Sequence, residues 1–365
     1  MSAKVPFFSF TKAPPSLRKE WLSAIEGVIE RGIFIRGEEV ARFEANWGAA
    51  IGTKYVIGTS NGQDALVLAL RALGITNGHR VVVPAHSFIA THNAVVALGA
   101  EVVSVDVNEF GLIDEKLLKN IFGSVDAIIP VHMHGMMCNM PVIMEWAKEN
   151  SVAVIEDCSQ SHLAEIDGIK AGNWGDIGIF SLYPTKNLGA IGDAGVIVTN
   201  DEELSISIFS LANYGSSKDN KYEHLSFGLN NRLDEIQAAV LNVNLRYLRE
   251  WNNRRQQIAD LYYTGIKNPN ISILQPKSKS NVSHHFCILI EDRDAIKIKL
   301  KSKNIDTDIH YPFVASNEVE SYIGKPMGIY PIASKIARQS LSLPISPWHS
   351  DQEIREVIYA INGVV

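Results

Sequence analysis

Tyr55-Val-Ile-Gly-Thr-Ser-Asn-Gly-Gln-Asp-Ala-Leu-Val-Leu-Ala-Leu-Arg-Ala-Leu-Gly-Ile-Thr-Asn-Gly-His-Arg-Val-Val-Val-Pro84 decides the fold. A short β-branched run gives way to a turn of small polar residues, then to leucines at helical spacing, a second turn, and another β-branched run. That is the pattern of a strand, a helix and a further strand in a mainly parallel sheet. The alternation continues outward, with a helix at residues 90–98 and strands at 101–105, 127–131 and 152–156. It covers roughly 150 residues, more than one nucleotide-binding half needs.

Two further strands, 177–182 and 195–199, flank Tyr183-Pro-Thr-Lys-Asn-Leu-Gly-Ala-Ile-Gly-Asp, which reads as a functional loop. After Leu233 the apolar positions Ile236, Ala239, Val240, Val243 and Tyr247 recur at helical spacing, predicting one long helix over 234–263 that connects two domains. Strand-like runs at 271–274 and 286–290 and a helix at 352–361 predict a small α+β unit. The expected division is a large α/β domain with an N-terminal arm over 1–245, and a linker helix with a small C-terminal α+β domain over 246–365.

With 365 residues, 46% hydrophobic and 20% charged, the composition is that of a folded globular protein and excludes general disorder. A net charge of -6, from 34 Lys+Arg against 40 Asp+Glu, argues against a nucleic-acid surface while leaving room for a local phosphate pocket. The N-terminal stretch lacks the apolar core of a secretory signal, and no apolar run is long enough to span a bilayer, so a cytoplasmic protein without membrane association is expected. Cys138, Cys158 and Cys287 have no CxxC spacing and read as buried, inert thiols. No metal site is expected either, because His132, His134, His284 and His285 lack carboxylates at ligand spacing.

The strand at 152–156 delivers Asp157 to the edge of the sheet where open α/β folds bind ligands, although the same residue would serve equally as a helix N-cap. Lys186 follows in a loop among Phe180, Leu182, Tyr183 and Pro184, surroundings that desolvate an amine, lower its pKa and suit it to Schiff-base chemistry. A strand-end Asp with a loop Lys suggests pyridoxal phosphate: the carboxylate keeps the pyridine nitrogen protonated and the amine holds the aldehyde. Thr59-Ser-Asn-Gly-Gln-Asp64, between strand and helix, offers backbone N–H groups to a phosphate at a helix N-terminus. Phe88 is the candidate to stack on the ring, against the plain alternative of a core phenylalanine.

These residues resemble the DegT/DnrJ/StrS group of sugar aminotransferases, within the fold-type I (aspartate aminotransferase-like) pyridoxal phosphate enzymes. The likeness runs from Gly37-Glu-Glu-Val-Ala-Arg-Phe-Glu to Ser342-Leu-Pro-Ile-Ser-Pro. It is most specific in Ser60-Asn-Gly-Gln-Asp-Ala-Leu, Ile155-Glu-Asp-Cys-Ser-Gln-Ser-His, the stretch from Phe180 to Gly195, Asn213-Tyr-Gly-Ser, Asn230-Asn-Arg-Leu-Asp-Glu and His310-Tyr-Pro. The resemblance implies a three-layer α/β/α fold with a smaller C-terminal α+β domain.

It also implies roles. Lys186 matches the Schiff-base lysine, Asp157 the partner of the pyridine nitrogen, Gln160 the contact to the ring hydroxyl, and Phe88 the stacking aromatic. Gly62, Gln63 and Ser181 match the phosphate site, and Asn230 matches a phosphate contact that in the family comes from the partner subunit, implying a homodimer. Gln63 stands where the family often has Thr, and Leu163-Ala164 replaces a Gly-Ala pair. Tyr183, His310 and Tyr311 are the candidates for the nucleotide diphosphate, with packing as the alternative.

The implied activity is amino transfer from L-glutamate to a nucleotide-linked keto sugar. Relatives that dehydrate sugars have His where this chain has Lys186. The Tyr183 to Asp193 run looks like members that aminate C3 of a dTDP-3-keto-6-deoxyhexose, with a 4-keto or a UDP-linked 3-keto sugar as the alternatives. The product would be an amino-deoxysugar for a surface glycan, such as the O-antigen of lipopolysaccharide, or for a natural product. A non-catalytic regulatory protein on the same cofactor site, and a cofactor-free nucleotide binder, are the readings from other classes.

Overall fold

The computed structural model describes residues 5–217, 220, 222–278 and 280–363. Residues 1–4, the beginning of the stretch read for a secretory signal, lie outside the described residues. Strands β1 (Tyr55–Thr59), β2 (Arg80–Pro84), β3 (Glu101–Val105), β4 (Ala127–Ile128) and β5 (Ala153–Asp157) fall where the alternation places them. A small hairpin, β6 (Glu165–Ile166) and β7 (Ile169–Lys170), precedes β8 (Ile177–Ser181) and β9 (Gly195–Thr199). Seven of these form one sheet in the order β1-β9-β8-β5-β4-β2-β3.

Only β9 runs against its neighbours: it pairs antiparallel with both β8 and β1, while the ladders from β8 to β3 are parallel. The carboxyl ends of β1, β2, β4, β5 and β8 therefore share one edge. The strand expected at 127–131 ends at Ile128. Pro130 has no N–H to give the ladder, and its carbonyl instead accepts from Asp157 N at 2.9 Å.

The near-continuous apolar strands are explained by helices on both faces, and each strand divides its side chains between two cores. On one face Val82, Ile128, Val154, Val196 and Val198 pack with α2 (Glu38–Ile51), which contributes Phe43 and Trp47, while α1 (Pro15–Arg31) packs its Leu17 and Trp21 against Val240 and Val243. On the other, Val81, Val83, Ile155, Ile177, Ile179 and Ile197 pack under α3 (Gly62–Ala72) and α4 (Ala90–Val96). The first face is completed by α5 (Met140–Asn150), and the second by α6 (Glu202–Leu211). Each fully buried Val or Ile contributes about 1.5–3 kcal/mol, so the alternation fixes which face each strand end presents.

The helix expected over 234–263 is two helices, α7 (Glu235–Leu245) and α8 (Leu248–Gly265). At the break the amides of Arg246 and Tyr247 turn back to Val243 and Asn244, three residues earlier. Asn244 is committed sideways: Nδ2 donates to the Gly189 carbonyl at 2.7 Å and Oδ1 accepts from the Trp21 indole at 2.7 Å. Beyond α8, strands β10 (Ser272–Ile273), β11 (Phe286–Leu289) and β12 (Ser340–Leu343) form an antiparallel sheet. It carries α9 (Arg293–Ser302), α11 (Pro331–Gln339) and α12 (Asp351–Asn362) around it, whereas α10 (Ala315–Ile323) packs on α4, with Ser316 Oγ 3.1 Å from His92 Nε2. All three cysteines are buried and unpaired. Among the described residues no helix is long and apolar enough to cross a membrane.

The N-terminus of α2 is satisfied from far along the chain. The buried Glu235 carboxylate accepts from Gly37 N at 2.8 Å, Glu39 N at 2.9 Å and Val40 N at 2.9 Å, taking donors that a helix cannot satisfy itself. Gly37 makes the approach possible, since a Cβ there would stand 2.8 Å from Glu235 Oε2. Glu235→Gln turns one acceptor into a donor against these amides. It should cost about 2 kcal/mol, read as a lower midpoint in denaturant unfolding; an unchanged midpoint would remove the cap from the stability of α2.

Candidate active site

A cavity of about 540 Å³ opens beyond the shared carboxyl edge of the sheet. Gly62, Gln63, Phe88, Asp157, Gln160, Ser181, Tyr183, Lys186, His310 and Tyr311 all line it. Of the residues singled out in the sequence, Asn230 alone lies elsewhere. It is exposed at the surface and bridges to Asn213.

Asp157 closes β5 and is aimed by four hydrogen bonds. Its amide donates to the Pro130 carbonyl and its own carbonyl accepts from His132 N at 3.0 Å. In the side chain, Oδ2 accepts from Thr91 Oγ1 at 3.1 Å and Oδ1 from Ser159 N at 3.1 Å. The carboxylate is thus anchored by two donors with no cation on it, at 5% exposure.

The neighbouring Glu156 points to the opposite face, as strand geometry requires. Its oxygens accept from Trp174, Gly175 and Gly172 amides and from His132 Nε2. His132, Glu156 and Cys158 lie close enough to share a metal ion. The carboxylate is, however, already occupied by three backbone N–H groups, and His132 Nδ1 accepts from Cys138 N at 3.1 Å, so this is a hydrogen-bonded structural cluster behind the site.

Lys186 sits in the β8–β9 connection, which α7 and α8 hold at several points. Gln237 Oε1 accepts from Ile191 N at 3.1 Å, Asn244 takes the Gly189 carbonyl, and Asn252 Oδ1 accepts from Asn187 Nδ2 at 2.8 Å. Phe180, just before the loop, packs edge-on against Trp47 with centroids 5.1 Å apart. Desolvation pulls the Lys186 ammonium down to about 8, against the Asp157 carboxylate, which pulls it up.

At the other end of the cavity, α3 begins at Gly62. Asn61 caps it by accepting from Asp64 N at 2.8 Å, and the Asp64 carboxylate is drawn aside by Ser60 Oγ and Asn61 Nδ2 at 2.7 and 2.8 Å. That leaves the N–H groups of Gly62 and Gln63 at the cavity without the Asp64 carboxylate competing for them. A Cβ on Gly62 would stand 2.7 Å from Ser181 Cβ, so only glycine lets the helix end come this close to β8.

Phe88 is 54% exposed, which a core phenylalanine would not be; its ring lies on the cavity, 5.4 Å from that of Tyr311. Gln160 Oε1 accepts from His134 N at 2.6 Å, which turns Nε2 toward the Tyr311 hydroxyl at 3.2 Å. Burial and the Asp157 charge hold the Tyr311 phenol protonated well above its ordinary range. Burial also takes His310 down to about 4, outweighing Asp308, so its ring is neutral near pH 7. Thr91, Asp193, His284 and His285 line the cavity too and were not read as site residues. Thr91 stands three residues after Phe88, but nothing local tied it to Asp157.

The donor set suits pyridoxal phosphate: a buried amine, an anchored carboxylate, an exposed aromatic face, and a glycine-opened helix end for a phosphate. Gly62→Ala should weaken pyridoxal phosphate binding at least about tenfold, about 1.4 kcal/mol, in equilibrium titration of the apoprotein. Unchanged affinity would move the phosphate away from α3.

Comparison with known proteins agrees with pyridoxal phosphate as the cofactor. The chain is 41% identical over 98% of its length to dTDP-3-amino-3,6-dideoxy-alpha-D-galactopyranose transaminase of Aneurinibacillus thermoaerophilus, covering 99% of that protein. It is 36% identical to UDP-N-acetyl-3-dehydro-alpha-D-glucosamine 3-aminotransferase of Acidithiobacillus ferrooxidans, over 94% of both chains. The crystal structure of S. venezuelae DesV in complex with a ketimine intermediate superposes with a TM-score of 0.93 at 38% identity, covering 99% of this chain and 98% of that one. Residues 15–362 match one family along nearly the whole chain, and the protein belongs to the DegT/DnrJ/EryC1/StrS aminotransferase family.

Proposed function

We propose that this protein is a pyridoxal phosphate-dependent aminotransferase that moves the amino group of L-glutamate to C3 of a dTDP-linked 3-keto-6-deoxyhexose. The observation that carries the reading is the meeting of Lys186 and Asp157, far apart in sequence, in one cavity with an exposed Phe88 and an unobstructed helix end. The C3 position and the dTDP carrier rest on the similarity to the dTDP-3-amino-sugar transaminase. The UDP-linked relative favours a 3-keto sugar on another nucleotide as the second reading.

Pyridoxal phosphate, when bound, supplies the electron sink that makes the donor's α-hydrogen acidic. Asp157 would hold its ring nitrogen in the charged form. Phe88 would cover a ring face, Gln160 would meet the ring hydroxyl, and the amides of Gly62 and Gln63 with the Ser181 hydroxyl would hold the phosphate. An amine titrating near 8 is partly free base at neutral pH, so Lys186 can take a proton from the donor carbon and return it on the other side of the transfer. The pinned β8–β9 loop fixes where Nζ can reach, which makes the proton transfer near-intramolecular. Tyr183, 51% exposed on the cavity, and the neutral His310 and Tyr311 offer hydrogen bonds to the diphosphate.

A homodimer completes this reading. Asn230 lies outside its own cavity, free to serve a second copy, and Ile33, Phe34 and Ile35 leave an apolar surface for one to cover. The chain would divide at the α7–α8 break, with 1–245 as the cofactor domain and 246–365 as the smaller one. A cytoplasmic enzyme that makes an amino-deoxysugar for a surface glycan, such as an O-antigen, or for a natural product fits a nucleotide-linked substrate.

With L-glutamate, the holoenzyme should aminate the dTDP-3-keto sugar and leave the 4-keto isomer untouched, as followed by mass spectrometry of the product, and should sediment as a dimer. Lys186→Ala should lose the visible cofactor band and all turnover. Turnover of the 4-keto sugar alone would overturn the C3 assignment, and turnover by Lys186→Ala would overturn the mechanism.

A further inference from the structure

His284 lines the same cavity as Lys186, and none of the roles above uses it. A chain of amides fixes how its ring is presented. Asn252 Nδ2 donates to the His162 carbonyl at 2.9 Å, so Asn252 Oδ1 faces the other way and accepts from Asn187 Nδ2 at 2.8 Å. The same Asn187 nitrogen donates to the Val282 carbonyl at 3.1 Å, which leaves Asn187 Oδ1 as an acceptor. The atom 2.9 Å from that oxygen is His284 Nδ1. An amide oxygen only accepts, so Nδ1 carries the proton, and a neutral ring then has its lone pair at Nε2.

The ring is kept neutral by its surroundings. It is 3% exposed, and the groups facing it are Lys186, Arg255, His310, His162 and the His285 ring with centroids 4.0 Å apart, none of which favours a second proton. The backbone is held as well, because Arg255 Nη1 donates to the His284 carbonyl at 3.2 Å. Nε2 has no hydrogen-bond partner among the described residues. Unlike the unpartnered ring nitrogens of His86, His92 and His162, it is not sealed from the cavity.

The geometry points to His284 as a specificity-determining hydrogen-bond acceptor: its Nε2 receives an N–H or O–H of the substrate and repels an anion. Resting on the aminotransferase reading, this sets a fixed neutral lone pair in the same cavity as Tyr183, His310 and Tyr311, which donate to anions. Such a group orients a substrate that carries both anions and donors. The ammonium of the amino donor and a hydroxyl of the keto sugar share the required chemistry.

Nitrogen-15 NMR of histidine-labelled protein should show His284 protonated at Nδ1 and bare at Nε2, unchanged from about pH 5 to about pH 8. His284→Asn keeps a donor toward Asn187 and removes the acceptor from the Nε2 position, which the shorter side chain does not reach. It should leave the cofactor spectrum intact and weaken one substrate about tenfold, with L-glutamate and the keto sugar measured in separate single-turnover half-reactions. The arm that weakens identifies the source of the donor. An Nε2–H tautomer, titration within that range, or two unchanged half-reactions would overturn the proposal. If His284→Asn does not fold, the wild-type NMR decides. The expected tautomer in a protein that turns over neither substrate would instead overturn the aminotransferase reading and, with it, the substrate role.

Discussion

A carboxylate and an amine share one desolvated cavity, and the rest of the structure serves to hold them there. Burial disfavours the Lys186 ammonium while Asp157 favours it, and the balance places the amine near neutrality. Such a balance requires that neither group swing away to water. Asp157 is therefore fixed through its backbone to Pro130 and His132 and through its side chain to Thr91 and Ser159. The parallel pairing of β5 with β8 brings it level with the strand that leads into the lysine loop.

The lysine loop shows what the helical layer contributes. Gln237 and Asn244 of α7 and Asn252 of α8 each spend a side-chain amide on residues 187–191. The break between the two helices lets both reach the loop, because on a straight helix Gln237 and Asn252 would stand about 22 Å apart along the axis. Asn252 continues to the His162 carbonyl and its loop partner Asn187 to His284, so the loop and the segment before β11 are tied into one hydrogen-bonded unit. Anion binding beside this unit does not need a basic surface. Helix N–H groups, hydroxyls and a glycine-opened approach suffice, which reconciles a net charge of -6 with a phosphate site.

The strands of the large sheet were legible because both faces are covered, so β2, β5, β8 and β9 are written as near-continuous apolar runs. Asp157, Lys186 and Gly62 were legible for a related reason: each stands at the end of such a run, where topology puts ligands. The α7–α8 break was not, because apolar spacing continues through Val243 and Tyr247 while the cause lies in Asn244 bonds to Trp21 and Gly189. Phe88 could not be told from a core residue until its 54% exposure placed it on the cavity. Thr91, Asn187 and His284 escaped for the same reason as the break. Their partners are distant in sequence, and a side-chain hydrogen bond across 66 or 97 residues leaves no local pattern.

The balance between desolvation and the Asp157 field can be measured directly by carbon-13 NMR of the Lys186 ε-carbon in the apoprotein, titrated with pH in wild type and in Asp157→Asn. The wild-type amine should titrate at about 8, and removal of the carboxylate should lower the midpoint further, because its favourable charge on the ammonium is then gone. A wild-type midpoint at the ordinary 10.5, or a higher midpoint in Asp157→Asn, would contradict the pairing of these two residues in one desolvated site.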